Sequence, residues 1–262
     1  MHTIRTLLHG ARERFYEDAE SWGLTRSSAL MIALFPIIVV GIVTLIAALA
    51  LLSKSTFRPL FAFVTAEDSL LEWMQFLFVF AASLIFAWLG IQFVRNGQRG
   101  IGALYLLLAF SAFFVAGEEI SWGQRLFGWS EPASLAGINH QNETNVHNIR
   151  PVQRAFGFVV LFGGMYGSLA PLIGAYVRAK RERTPLSFLL IPSLCLLPAF
   201  LMPFGYRMFR LVIWPGTNAL VVRFGEAPEL CLYFGLLIFA ALNLRRLQQE
   251  KPALIARVAA IS

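Results

Sequence analysis

Charge is scarce in this chain: only 14% of its 262 residues are Asp, Glu, Lys or Arg, against roughly a quarter in soluble domains. That shortage excludes an ordinary water-soluble domain. Cysteine is scarcer still. The two present, Cys195 and Cys231, sit inside apolar runs without a CxxC spacing, which excludes a disulfide scaffold and a cysteine-based zinc site. Of four histidines, two fall within the first nine residues, leaving His140 and His147 as the only ones deeper in the chain. Internal repeats, low-complexity tracts and soluble domains are also lacking, and the chain reads as one membrane domain.

What the chain has instead is apolar length. Apolar residues make up 57% of it, gathered into uncharged windows at Ser27–Ser53, Trp73–Val94, Gly100–Gly117, Ala155–Val177, Thr184–Tyr206 and Leu230–Leu244. Most approach the ~20 residues a helix needs to cross ~30 Å of hydrocarbon, and only helices and closed barrels can span. The expectation is an all-α polytopic bundle of about six transmembrane helices. The first window is expected to be retained rather than cleaved as a signal peptide. It is long, lacks a small-residue cleavage pattern and follows a charged segment. The last window is short, so Arg245 and Arg246 are expected to snorkel or to sit in thinned bilayer.

The net charge of +7 is explained by topology rather than by nucleic acid, which is not expected as a partner. With the N-terminus cytoplasmic, fourteen of the 22 basic residues fall on the cytoplasmic side, RAKRER (residues 178–183) being the clearest run. That is the positive-inside pattern. It predicts a multi-pass membrane protein, both termini cytoplasmic, in contact with anionic lipid. Residues 1–28 read as an interfacial amphipathic helix with Ile4, Leu7, Leu8, Ala11 and Phe15 on one face. Residues 29–244 form the six-helix domain with exoplasmic loops at 53–72, 118–154 and 207–229, and residues 245–262 form a basic tail.

Local signals refine this frame. In VTAEDSLLEW, Thr65 is expected to cap the second span, with Asp68 three residues on. Glu72, a turn further in, reads equally as a solvated interfacial residue or an inward-facing substrate contact. Gly163 with Gly167, and Gly164 with Ser168, have the spacing of close helix packing. Pro192, Pro198 and Pro203 each invite a kink in the fifth span. The stretch 207–229, with Trp214 and a Pro215-Gly216 turn, is expected to lie in the outer interface.

The chemistry is expected in GEEISWGQRLFGWSEPASLAGINHQNETNVHNI, residues 117–149. Eighteen uncharged residues precede Glu118 and reach only ~27 Å as a helix, so Glu118 and Glu119 fall at the outer hydrocarbon boundary. If the helix continues through ISWGQR, then Glu118, Ser121, Trp122 and Arg125 share one face while Glu119 points elsewhere. Arg125, or an arginine of another loop, would then neutralise one carboxylate and leave the other to face the bundle interior. On a helix His140, Glu143 and His147 also share a face, and imidazole with carboxylate is a reasonable set for a divalent metal such as zinc. The spacing is neither HExxH nor the ExxH of di-iron bundles. Glu131 and Glu226 read as ordinary water-facing charge.

The segments EEISWGQR and NVHN resemble a signature of bacterial multi-pass membrane proteins. The resemblance implies a polytopic protein of a bacterial plasma (inner) membrane and no particular activity. The glutamate pair with a following arginine and a later histidine is also similar to CAAX-type intramembrane proteases. That likeness carries Glu118, Glu119 and His147 over as water-activating groups. Arg125 comes two residues later than in that family, and no histidine follows position 147.

Three readings of function follow. The first is an enzyme at the exoplasmic face, a metal-assisted hydrolase or transferase of a lipid or lipid-linked substrate. Its catalytic groups are Glu118, Glu119, His147 and Arg125, its substrate contacts Glu72, Gln124 and Asn145, and its metal ligands Glu118, Glu119, His140 and His147. The second is a non-catalytic subunit or assembly factor that docks a protein partner. The third is a carrier or ion pathway.

Overall fold

The computed structural model describes residues 2–53, 55–66, 69–130, 144–146, 149–178 and 185–259. At 2–5, 7–8, 125, 150, 178, 185 and 250–259 it describes the backbone alone. Among these residues every regular element is helical. Six stretches are long and apolar enough to cross a bilayer: Arg26–Leu52, Phe57–Arg95, Arg99–Glu119, Pro151–Val177, Leu186–Ile213 and Ala219–Gln249. An even number of crossings brings both termini to one end of the bundle, the terminal end; the other is the distal end.

In chain order the helices are α1 (His2–Ser21), α2 (Arg26–Leu52), α3 (Phe57–Thr65), α4 (Leu70–Arg95), α5 (Arg99–Glu119) and the single turn α6 (Gln124–Phe127). They continue as α7 (Arg150–Arg178), α8 (Pro185–Leu190), α9 (Leu197–Met208), α10 (Ala219–Phe224) and α11 (Glu226–Ala259). The bundle is an arc in which α5 packs on α4, α4 on α11, α11 on α9 and α9 on α7, with α2 laid across α9 and α11. Outward faces carry Ile38, Leu45, Phe110 and Phe162, all exposed, as a lipid-facing surface requires. Trp22, Phe86, Phe93, Tyr105 and Phe239 fill the interior.

Small residues set the closest approach. A Cβ on Gly164 would stand 2.9 Å from the Phe200 carbonyl oxygen, and one on Gly167 would overlap the Phe200 ring. The α7–α9 contact therefore uses Gly164, Gly167 and buried Ser168, while Gly163 meets nothing within 4 Å.

Of the three prolines, Pro192 marks a break in the fifth span, whereas Pro198 lies in the first turn of α9 and Pro203 inside it. Helix α8 stops at Leu190, Pro192 occupies the gap, and a 3₁₀ turn over Leu194–Leu196 leads into α9. Inside a membrane the freed backbone groups need partners, and each side of the gap has them. The Tyr105 hydroxyl donates to Leu189 O at 2.8 Å and the Tyr166 hydroxyl to Leu190 O at 2.9 Å. On the far side Asp18 Oδ2 accepts from Ser193 Oγ at 2.6 Å and from Leu194 N at 2.7 Å.

That last contact revises the reading of the N-terminal segment. Beyond Phe15, helix α1 turns inward: Asp18, Ala19 and Trp22 are all buried, so its last turn is part of the bundle and not only an interfacial anchor. Two further expectations are corrected. Ser69, not Thr65, caps α4, accepting from Glu72 N at 3.4 Å, while Thr65 donates its hydroxyl to Phe61 O as the last residue of α3. Asp68, the other half of the expected box, lies outside the described residues.

The last span is not short. Helix α11 starts at Glu226 and runs 34 residues, about 51 Å at 1.5 Å per residue, so residues 226–229 belong to a helix instead of a loop. Arg246 lies 3.3 Å above the Phe188 ring centroid. Aromatic stacking, as well as snorkelling, thus accommodates it.

Candidate functional site

At the distal end of α5 the helix does not continue through ISWGQR. It ends at Glu119, and Ser121, Trp122 and Gly123 follow with φ of 48°, 55° and 84°. Two consecutive non-glycine residues in the left-handed region cost roughly 1–2 kcal/mol each, so other contacts must hold the turn. Glu118 is the centre of them. Only 4% exposed, it accepts from Trp122 Nε1 at 2.7 Å through Oε1 and from Val146 N at 2.7 Å through Oε2. The indole thereby folds back over Gly117, where a Cβ would come within 2.8 Å of the ring; the glycine at 117 is needed for that approach.

Two further bonds complete a clasp between residues 118–124 and 144–146. Asn145, 1% exposed, donates Nδ2 to Ser121 Oγ at 3.1 Å, and Gln124 Oε1 accepts from Thr144 N. Gln124 and Asn145, expected to touch substrate, are in the structure bonded within this clasp. The expected common face of Glu118, Ser121, Trp122 and Arg125 does not form, because the left-handed turn rotates the chain after Ile120. Glu118 reaches Trp122 all the same, through the turn rather than through helical register.

Glu119 points the other way, into the bundle. It accepts from the Tyr233 hydroxyl of α11 at 2.9 Å. One and two turns up α11 from Tyr233 stand Glu229, paired with Arg207 of α9, and Glu226. Glu226 receives Gln75 Nε2 of α4 at 3.1 Å on its carboxylate and at 2.8 Å on its backbone carbonyl. Glu72, Glu226 and Glu229 all lie within electrostatic reach of Glu119. Four carboxylates from α4, α5 and α11 therefore converge beneath the clasp. Among the described residues Arg207 is the cation set among them, its Nη1 3.7 Å from where a Cβ on Gly157 of α7 would stand.

Glu226 is a correction. Expected to face water, it is turned onto Gln75, whose side chain is 0% exposed. Tyr233, Arg207 and Gln75 were not singled out as site residues by sequence, although a signal exists. Glu226, Glu229 and Tyr233 recur at i, i+3 and i+7, and Glu72 with Gln75 at i and i+3, each along one face of an otherwise apolar helix.

His140, Glu143, His147 and Glu131 lie outside the described residues, as does the Arg125 side chain. Among the described residues no group of three His, Cys, Asp or Glu side chains stands at metal-holding distance. The apolar groove of about 580 Å³ bounded by Thr44, Leu201, Phe209, Phe224 and Pro228 lies on a different face of α11 from Glu226, two residues before Pro228. Comparison with protein-family models, with curated proteins and with solved structures finds no match.

Proposed function

We propose that this chain is a multi-pass enzyme of a bacterial plasma membrane, a hydrolase or group transferase acting at the exoplasmic face on a lipid or lipid-linked substrate. One observation carries the reading: the adjacent glutamates divide their work. Among the described residues Glu118 is committed to the clasp through both oxygens, whereas Glu119 has a single hydrogen-bond donor, Tyr233, in a site where carboxylates outnumber cations. A carboxylate so placed, at the level where lipid gives way to water, is suited to general acid–base chemistry.

In this reading Glu119 takes the proton of an attacking water or hydroxyl, and Tyr233 holds the carboxylate in position. Glu118 anchors the chain at Val146, the residue before His147, and His140, His147 and Arg125 are the acid–base and anion-binding groups of this reading. A divalent metal such as zinc would draw on those histidines and on Glu119, since Glu118 is already engaged. When bound it would acidify a water. Glu72 stands at the mouth as a substrate contact.

The test is lipid analysis of membranes containing the chain or its Glu119→Gln variant, with elemental analysis of the purified protein. The chain should alter a lipid or lipid-linked pool, and Glu119→Gln should reduce that conversion by about 10²–10⁴-fold. Unchanged conversion in the variant refutes the assignment.

A second reading, a carrier, is favoured by the broken fifth span, since interrupted helices line many transport sites. Here the break is closed by Tyr105, Tyr166 and Asp18, so the enzyme is the preferred reading. Proton or cation flux into liposomes that depends on Glu119 would reverse that preference.

A further inference from the structure

The hydrogen bonding around Gln75 does not balance. Its Nε2 donates twice, to the carbonyl and to the carboxylate of Glu226, but its Oε1 is buried without a donor. A buried amide oxygen left without a donor costs roughly 1–3 kcal/mol. Exchanging the amide oxygen and nitrogen does not help. It would aim the acceptor at two more acceptors, the Glu226 carbonyl and carboxylate, so the shortage of a donor belongs to the site and not to the amide's orientation.

Among the described residues no neighbouring group donates to Gln75 Oε1. Facing Glu226 are Glu72 and Gln75 of α4, Glu119 of α5, Tyr206 and Arg207 of α9, and Glu229 and Tyr233 of its own helix. Arg207 gives Nη2 to Glu229 while its buried Nε reaches no acceptor, Tyr233 donates to Glu119, Tyr206 donates to Val221 O, and Arg223 of α10 is exposed. The carboxylates do not gather closely enough to hold a metal ion, so a multi-ligand cation does not fit the described groups. A single hydrogen does.

We infer that Glu226 and Gln75 form a proton-binding site, in which the Glu226 carboxyl carries a hydrogen and donates it to Gln75 Oε1 while its other oxygen accepts from Gln75 Nε2. This reciprocal acid–amide pair satisfies every polar atom of both head groups and removes one negative charge from the cluster. It deepens the enzyme reading only in location: the pair is a proton store beside Glu119, exchanging with the exoplasmic side.

The test is infrared difference spectroscopy of the full-length protein in lipid nanodiscs, without substrate, in light and heavy water. At neutral pH the protein should show the carbonyl band of a protonated carboxyl, shifted by deuterium. Glu226→Gln should abolish it, and Gln75→Leu should move it to higher frequency by removing the acceptor. If Glu226→Gln does not fold, the Gln75→Leu shift decides alone. A parallel melting series should find that alkaline buffer lowers the midpoint of the native protein and leaves that of Glu226→Gln unmoved, because the Gln amide supplies the donor permanently. No protonated band, a band that survives Glu226→Gln, or a sodium-dependent rise in midpoint without the band would each overturn the proposal. Because the band is read without turnover, its presence in a protein that converts no lipid would sink the enzyme reading and leave the proton site standing.

Discussion

The two ends of this bundle bury carboxylates in opposite ways. At the terminal end Asp18 meets a hydroxyl and an amide exposed by the break in the fifth span, and two tyrosines meet the carbonyls on the other side. Donors and acceptors match, and the acid works as a helix cap. At the distal end the described partners of Glu119, Glu226 and Glu229 are one tyrosine hydroxyl, one amide group and one guanidinium, so among the described residues carboxylates outnumber cations there. A buried acid with matched donors is explained by folding alone. An acid in surplus needs something that comes and goes, such as a proton or a substrate.

The comparison is broken most forcefully at Asp18. Asp18→Ala leaves Ser193 Oγ and Leu194 N without this acceptor inside the bundle, at roughly 1–3 kcal/mol for each buried group. The expected result is a large fall in melting midpoint in detergent, with Asp18→Asn intermediate because its amide oxygen still accepts. Glu226→Gln should leave the midpoint nearly unchanged. Equal losses at the two ends would erase the distinction between matched and surplus acids.

Arg207 tests the distal end from the side of the cation. The pair with Glu229 is partly shielded, at 22% and 16% side-chain exposure. Arg207→Met should therefore destabilise by about 2 kcal/mol, and Glu229→Gln in the same chain should recover much of it, a coupling of roughly 0.5–3 kcal/mol in a double-mutant cycle. No coupling would mean that Glu229 is solvated independently and that the cluster is less closed than its hydrogen bonds imply.

These contrasts also mark how far the sequence is legible. Runs of apolar residues reveal six spans because bilayer thickness fixes their length. The pair Glu118–Glu119 is visible because charge at the end of such a run is expensive. What stays hidden depends on partners distant in the chain. Asp18 looks like one more charge on an amphipathic helix until Ser193, 175 residues away, is brought beside it. Glu226 looks water-facing because the proline at 228 and the charges around it read as a loop; its helix in fact starts there and turns it onto Gln75. The left-handed turn at Ser121–Trp122 defeats helical register because tertiary bonds from Glu118 and Asn145, not local preference, hold it.

The clasp gives the smallest and most local effect. Glu118→Gln keeps an acceptor for only one of its two partners: that bond weakens with the charge gone, since bonds to an ionised carboxylate are about twice as strong as neutral ones, and the other is lost as its N–H comes to face the amide NH2. Loss of about 1 kcal/mol is expected, and it should be confined: the Val146 amide exchanges hydrogen faster, while the Leu194 amide under Asp18 does not change. Gly117→Ala should produce the same pattern by another route, its methyl pushing the Trp122 ring from its seat and releasing Nε1 from Glu118. If both variants also speed exchange at Leu194, the two ends are coupled through the bundle, and acid surplus at one end cannot be treated apart from acid balance at the other.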